Sequence, residues 1–167
     1  DPTVIYGLSD FDGNLTRCRK RPPITLEPTA LGDDQCQEKI DFGLVGEIEQ
    51  IETTLLLKAW QNDLIPVISC LGADSNGQIL NINADTLAAE LAIALPATRL
   101  LSVSDVDGVY LEMDNPQTRI SELTSQQAKS YLQKGLITDG MVPKIKTALL
   151  ALAKGVSCVQ ILSGLKK

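Results

Sequence analysis

Between residues 81 and 110 the chain changes its hydrophobic period twice. Leu87, Glu90, Leu91, Ala94 and Leu95 fall on a spacing of about 3.6 residues with alanines between them, which predicts a helix. Asn83 or Asp85 stands where a short side-chain oxygen can accept a free N–H of the first turn, and Pro96 stops the helix. Residues 100–103 are apolar and closed by a turn signal, the pattern of a strand buried on both faces. Polar groups therefore gather ahead of the helix, at Asn81, Asn83 and Asp85, and at the end of the strand, from Asp105 to Tyr110. In open α/β sheets ligands bind at the carboxyl ends of strands.

The same patterning organises the rest. Residues 3–8 and 15–19 read as two strands joined at Asp12-Gly13-Asn14, an opening β-hairpin whose basic run, Arg17 to Arg21, is a solvated arm. Residues 22–37 read as loop, and 39–49 as a strand interrupted at Gly43 and Gly46. Thr53 or Thr54 caps a helix through Gln61, with Asn62 as its stop. Residues 64–70 predict a buried strand, with Pro66 weakening its start, and 72–77 a turn. After an exposed turn at 112–117, Thr124 and Gln127 form a capping box for a helix ending at Gly135. Pro143 marks the first residue of another helix, which has Ile145, Ala148, Leu149 and Leu152 on one face and Gly155 at its end. Residues 156–162 form the last strand. Strands alternating with helices predict a three-layer α/β/α fold with a mostly parallel sheet.

Composition narrows the chemistry. An apolar fraction of 44% supports a real core in 167 residues, one domain or a large piece of one. A net charge of -6 and only 4% aromatic residues argue against nucleic-acid binding. No apolar run reaches the length of about 18 residues that a membrane span needs. Cys18, Cys36, Cys70 and Cys158 are scattered and read as reduced thiols of a cytoplasmic protein. Without histidine there is no Ser-His or Cys-His pair and no usual zinc cluster. Neither a P-loop nor a dinucleotide fingerprint is present. Lysine, carboxylates, backbone amides or a metal must do any chemistry.

Lys144 sits in the first turn of a predicted helix, where unpaired N–H groups already carry partial positive charge. A cation there is unfavourable by about 0.3–1 kcal/mol unless it points to solvent or shares an anion with the amides. Asp85 reads by itself as a plain helix cap. Asp105-Val106-Asp107-Gly108 reads as a plain turn; it begins like a calcium loop but lacks the distal glutamate.

Three segments, Asn81-Ile82-Asn83-Ala84-Asp85, Ser104-Asp105-Val106-Asp107-Gly108-Val109 and Ile137-Thr138-Asp139-Gly140-Met141-Val142-Pro143-Lys144, resemble in order the motifs of the amino-acid kinase family. Asp41-Phe42-Gly43-Leu44-Val45-Gly46-Glu47 is similar to its N-acetylglutamate kinase branch. The resemblance covers nearly the whole chain. It implies a carbamate kinase-like fold and ATP-dependent phosphorylation of the side-chain carboxylate of N-acetyl-L-glutamate, with Mg²⁺, in arginine biosynthesis. By the same resemblance Lys144 stabilises the transferring phosphoryl group and Asp85 orients catalytic lysines. Asn81 and Asn83 contact the acylated amino acid. Asp105, Val106, Asp107, Gly108, Val109, Tyr110, Leu136, Ile137 and Thr138 line the nucleotide. The intact protein would be a homo-oligomer. The family's opening Lys-x-Gly-Gly loop, a further glycine pair and a substrate-binding arginine have no match here, so the chain looks like the second half of such a kinase, incomplete at its N-terminal side. Residues 1–98 then belong to the amino-acid lobe and 99–167 to the nucleotide lobe. Pro96 stands where the family has glycine. A kinase of another amino-acid carboxylate and a noncatalytic binding module are the alternatives.

Overall fold

The computed structural model describes residues 4–9, 12, 14–25, 39–106, 108–112, 115–138 and 140–164. Their contacts divide into two units, Asp1–Asn83 and Ala84–Lys167. In the first unit the strands are β1 (Val4–Leu8), β2 (Thr16–Lys20), β3 (Ile24–Thr25), β4 (Lys39–Ile40) and β5 (Gly46–Ile51). Helix α1 (Thr54–Gln61) and strands β6 (Leu64–Ile68), β7 (Leu71–Ala73) and β8 (Ile79–Asn81) follow. The expected opening hairpin does not form. The apolar β1 lies parallel to β6, Val4 opposite Leu64 through Leu8 opposite Ile68. In β2 the buried Thr16 and Cys18 alternate with exposed arginines, and this half-buried strand pairs antiparallel with β5. Long-range packing, not the turn residues between them, chose each strand's partner. The loop expected at 22–37 contains β3, paired antiparallel with β4; residues 26–38 lie outside the described ones.

Local signals needed smaller corrections. Thr53 makes no capping bond; Glu52 takes that role, its carboxylate accepting the N–H and hydroxyl of Thr54 at 3.0 and 2.6 Å. The turn expected at 72–77 is narrower, because Leu71–Ala73 pairs with Ile79–Asn81. Asp74 closes it by accepting the N–H groups of Asn76 and Gln78.

The second unit runs α2 (Ala84–Ala94), β9 (Arg99–Ser104), β10 (Val109–Tyr110), β11 (Arg119–Ile120), α3 (Ser125–Gln133), α4 (Met141–Ala153) and β12 (Cys158–Ser163). The capping box of α3 is present in full, and Gly135 and Gly155 take the positive φ expected after α3 and α4. Strand β9 lies parallel to β12, Arg99 opposite Cys158 through Ser104 opposite Ser163. Helices α2 and α4 pack on each other and on this strand pair. The close approach rests on small residues: Ala89, Ala92 and Ala151 are buried together with Val156. Helix α2 packs with β9 and α4 in the second unit.

Neither expected buried strand is covered on both faces. Leu101 and Val103 of β9 are 52% and 61% exposed, while Leu100 and Ser102 are half-buried against the helices. In the first unit Ile65 and Val67 of β6 are likewise exposed.

Helix α2 is closed by the N–H of Ala97, which donates to the carbonyl of Ala92 at 2.8 Å.

Gly72 is held to glycine by space. A Cβ there would lie 2.7 Å from the Thr16 carbonyl oxygen and 2.8 Å from Cys18 Sγ. Gly72→Ala should therefore cost about 1–3 kcal/mol. Gly7→Ala, whose Cβ meets nothing within 4 Å, should stay within about 0.5 kcal/mol by the same titration.

Candidate functional site

Topology places two helix starts together. In the second unit α2 leads into β9 and α4 leads into β12, and the two strands are parallel. A helix that feeds a strand and packs back on it runs against that strand, so both helix N-termini lie towards the carboxyl ends of β9 and β12. Asp85 is the second residue of α2 and Lys144 the fourth of α4. The sequence predicts Pro143 as the first helical residue, but α4 begins at Met141, which is buried in a core cluster and donates its N–H to the Thr138 carbonyl at 3.2 Å. Pro143 still falls among the four residues whose N–H groups lack a helical acceptor, so its missing donor costs nothing.

The Lys144 ammonium donates to both carboxylate oxygens of Asp85, at 3.1 and 3.0 Å. The two side chains are only 21% and 25% exposed. The acid is favourable at its helix start and the lysine is not, so the pair removes the penalty that Lys144 would otherwise carry. Ser102, from the face of β9 turned to the helices, donates through Oγ to Asp85 Oδ1 at 3.4 Å. Asp85, Ser102, Lys144 and Thr147 share the lining of a cavity of about 180 Å³ with Ala84, Ala88 and other small or apolar residues. Sequence patterning missed Ser102, since one serine in an apolar run gives no signal of what lies opposite it.

The turn after β9 lies within electrostatic reach of this pair. The Ser104 hydroxyl donates to Asp105 at 2.9 Å. That bond, backbone N–H groups and a smaller attraction from Lys144 hold the exposed Asp105 carboxyl below its ordinary range. Asp107 and Asp139 lie outside the described residues. Val109 and Ile137 are buried in one cluster with Ala128, Met141 and Ile145, and Val106 packs against it. The two segments expected to line a nucleotide thus meet through their apolar members, which leaves Asp105, Leu136 and Thr138 at the surface. Gly108 is buried, and a Cβ on it would lie 3.1 Å from Arg119 Nε. Tyr110 pairs with Arg119 in the β10–β11 hairpin.

Asn81 and Asn83 belong to the first unit, exposed on either side of the buried Ile82. Asn81 is anchored through its N–H to the Leu44 carbonyl at 2.8 Å. A cavity of about 590 Å³ runs beside β12 between α3, α4 and the β10–β11 hairpin. Neither Asp85 nor Lys144 lines it, so it is not the charged site. Among the described residues no three acidic, cysteine or histidine side chains cluster to hold a metal. A magnesium ion fits this chain only in the way it usually binds beside phosphates, held mostly by substrate oxygens and water with one or two carboxylates. Asp105 is an exposed carboxylate on the turn that follows β9.

The profile of the Amino acid kinase family matches residues 6–163. An acetylglutamate kinase from Methanospirillum hungatei JF-1 is 42% identical over 159 residues, which cover 95% of this chain and 51% of that protein. The chain spans about half the length of the curated relatives it matches. Among solved structures, smu.665 from Streptococcus mutans UA159 superposes with a TM-score of 0.73 at 28% identity, over 96% of this chain and 57% of the other. A carbamate kinase from Giardia shares the fold alone, with a TM-score of 0.66 at 15% identity over 97% and 58% of the two chains. With helices beside the parallel pairs β1–β6 and β9–β12 and a family match over nearly its whole length, the chain has the three-layer α/β amino-acid kinase fold and belongs to the amino acid kinase family.

Proposed function

We propose that this chain carries the catalytic lysine and the nucleotide side of an ATP-dependent kinase. Its parent protein phosphorylates the side-chain carboxylate of N-acetyl-L-glutamate in arginine biosynthesis. The observation that carries this reading is the Asp85–Lys144 pair at two adjoining helix starts. The relatives' name, acetylglutamate kinase, supplies the substrate. In the reaction a carboxylate oxygen bonds to the γ-phosphorus of ATP as the bond to the ADP oxygen breaks, which yields an acyl phosphate without a proton transfer.

Such a transfer spreads negative charge over the phosphoryl oxygens, so catalysis consists of holding charge and aligning groups. Lys144 would meet that charge, assisted by the unpaired N–H groups at the start of α4. Asp85 keeps the ammonium in place without consuming it, because an anion arriving from the open side adds a second partner. Asn81 and Asn83 would hold the acylated amino acid. Residues 105–110 and 136–138 would line the nucleotide, residues 1–98 serving the amino-acid lobe and 99–167 the nucleotide lobe. Mg²⁺ would neutralise phosphate charge, with Asp105 as its protein contact. Among the described residues no helix is long and apolar enough to cross a membrane, and Cys70 and Cys158 are unbridged cysteines; the reading takes the parent protein to work in the cytoplasm.

Losing one contact of this kind costs about 3–4 kcal/mol at the transition state. In the parent protein Lys144→Ala should lower kcat roughly 100- to 1000-fold with little change in KM; near-normal turnover would refute the lysine's role. Residues 1–167 by themselves should bind MgATP in calorimetric titration yet give little hydroxylamine-trapped acyl phosphate. Robust N-acetylglutamate-dependent trapping would contradict the second half of that expectation, and a folded sample that binds no MgATP the first.

A further inference from the structure

We infer that Ser102 is a positioning residue that aims Asp85, and through it Lys144; the catalytic meaning of this rests on the kinase reading above. The observations are geometric. Ser102 lies on the face of β9 that meets α2 and α4, in register with Ile161 of β12 and one alternation from Leu100. Its neighbours in the lining there include Ala84, Ala88, Ala148, Val159 and Ile161. A hydroxyl on such a face costs free energy unless it is bonded, and an aliphatic side chain would pack better. Its side-chain bond goes to the carboxylate that holds the lysine.

The division of labour follows from the donors. A carboxylate has about four acceptor positions on its two oxygens. Lys144 reaches both oxygens and so fixes the distance between the charges. It does not fix rotation of the Asp85 carboxylate about its own axis, because an ammonium is a point charge with rotatable donors. Ser102 approaches Oδ1 from the strand side, so strand and helix together define the plane. The contact of 3.4 Å is longer than the usual O–H···O distance of about 2.7–2.8 Å, and catalytic hydrogen bonds commonly tighten when substrate binds. As Lys144 shifts towards an incoming anion, the serine keeps Asp85 from following it.

The test reads the lysine directly and needs no turnover. The full 167-residue chain is treated with limiting acetic anhydride, and acetylation of Lys144 is followed by mass spectrometry against the exposed Lys134. Ser102→Ala should raise the relative rate at Lys144 about 3- to 10-fold, and Ser102→Thr should return it to the original value. Ser102→Cys, nearly equal in size but a poor donor, should behave like alanine and shows that the effect is not a packing defect. Unchanged Lys144 reactivity in both the alanine and cysteine variants overturns the inference. In the parent enzyme Ser102→Ala should lower kcat by a similar factor with KM for ATP unaltered. A parent that fails to phosphorylate N-acetylglutamate, with Lys144 still answering to Ser102, would refute the substrate and support the positioning role.

Discussion

The contact between Lys144 and Asp85 is the constraint on which the second unit depends. It joins residues 59 positions apart and ties the first turns of two helices at one end of a parallel strand pair. Each helix alone would place its partial positive charge beside the other's, an arrangement that needs an acid between them. Asp85 supplies that acid, and Lys144 then restores the positive character on the open side. The net result is a place where one more anion improves the electrostatics. The small faces of α2 and α4 serve the same end, because Ala89, Ala92 and Ala151 let the helices come close enough for side chains from both to meet.

Much of this was legible in the sequence, and the rest was not for identifiable reasons. The capping box at Thr124, the stops at Gly135 and Gly155, and the first-turn position of Lys144 are set within a few residues, where side chains answer to their own backbone. Strand partners are set over long range. Nothing near Asp12 announces that β1 will choose β6 and β2 will choose β5. The apolar runs of β6 and β9 correctly signalled parallel strands, yet each has a bare face among the described residues. The charged pair could be suspected from helix electrostatics and motif resemblance, whereas Ser102 became visible only once β9 faced α2.

The two glycines singled out above show the opposite sides of local fitness. Gly72 sits where the backbones of β7 and β2 approach closely, and only hydrogen fits, whereas a Cβ on Gly7 would meet open space.

The open row formed by Leu101 and Val103 has a consequence for the life of the chain in a cell. Branched side chains standing in water on a strand are what holdase chaperones and misfolded neighbours capture. Capture competes by mass action with any surface that would close over the row. The consequence is colloidal rather than conformational: a polar residue in place of Leu101 or Val103 would change how readily the chain sticks to others far more than it would change its folding free energy.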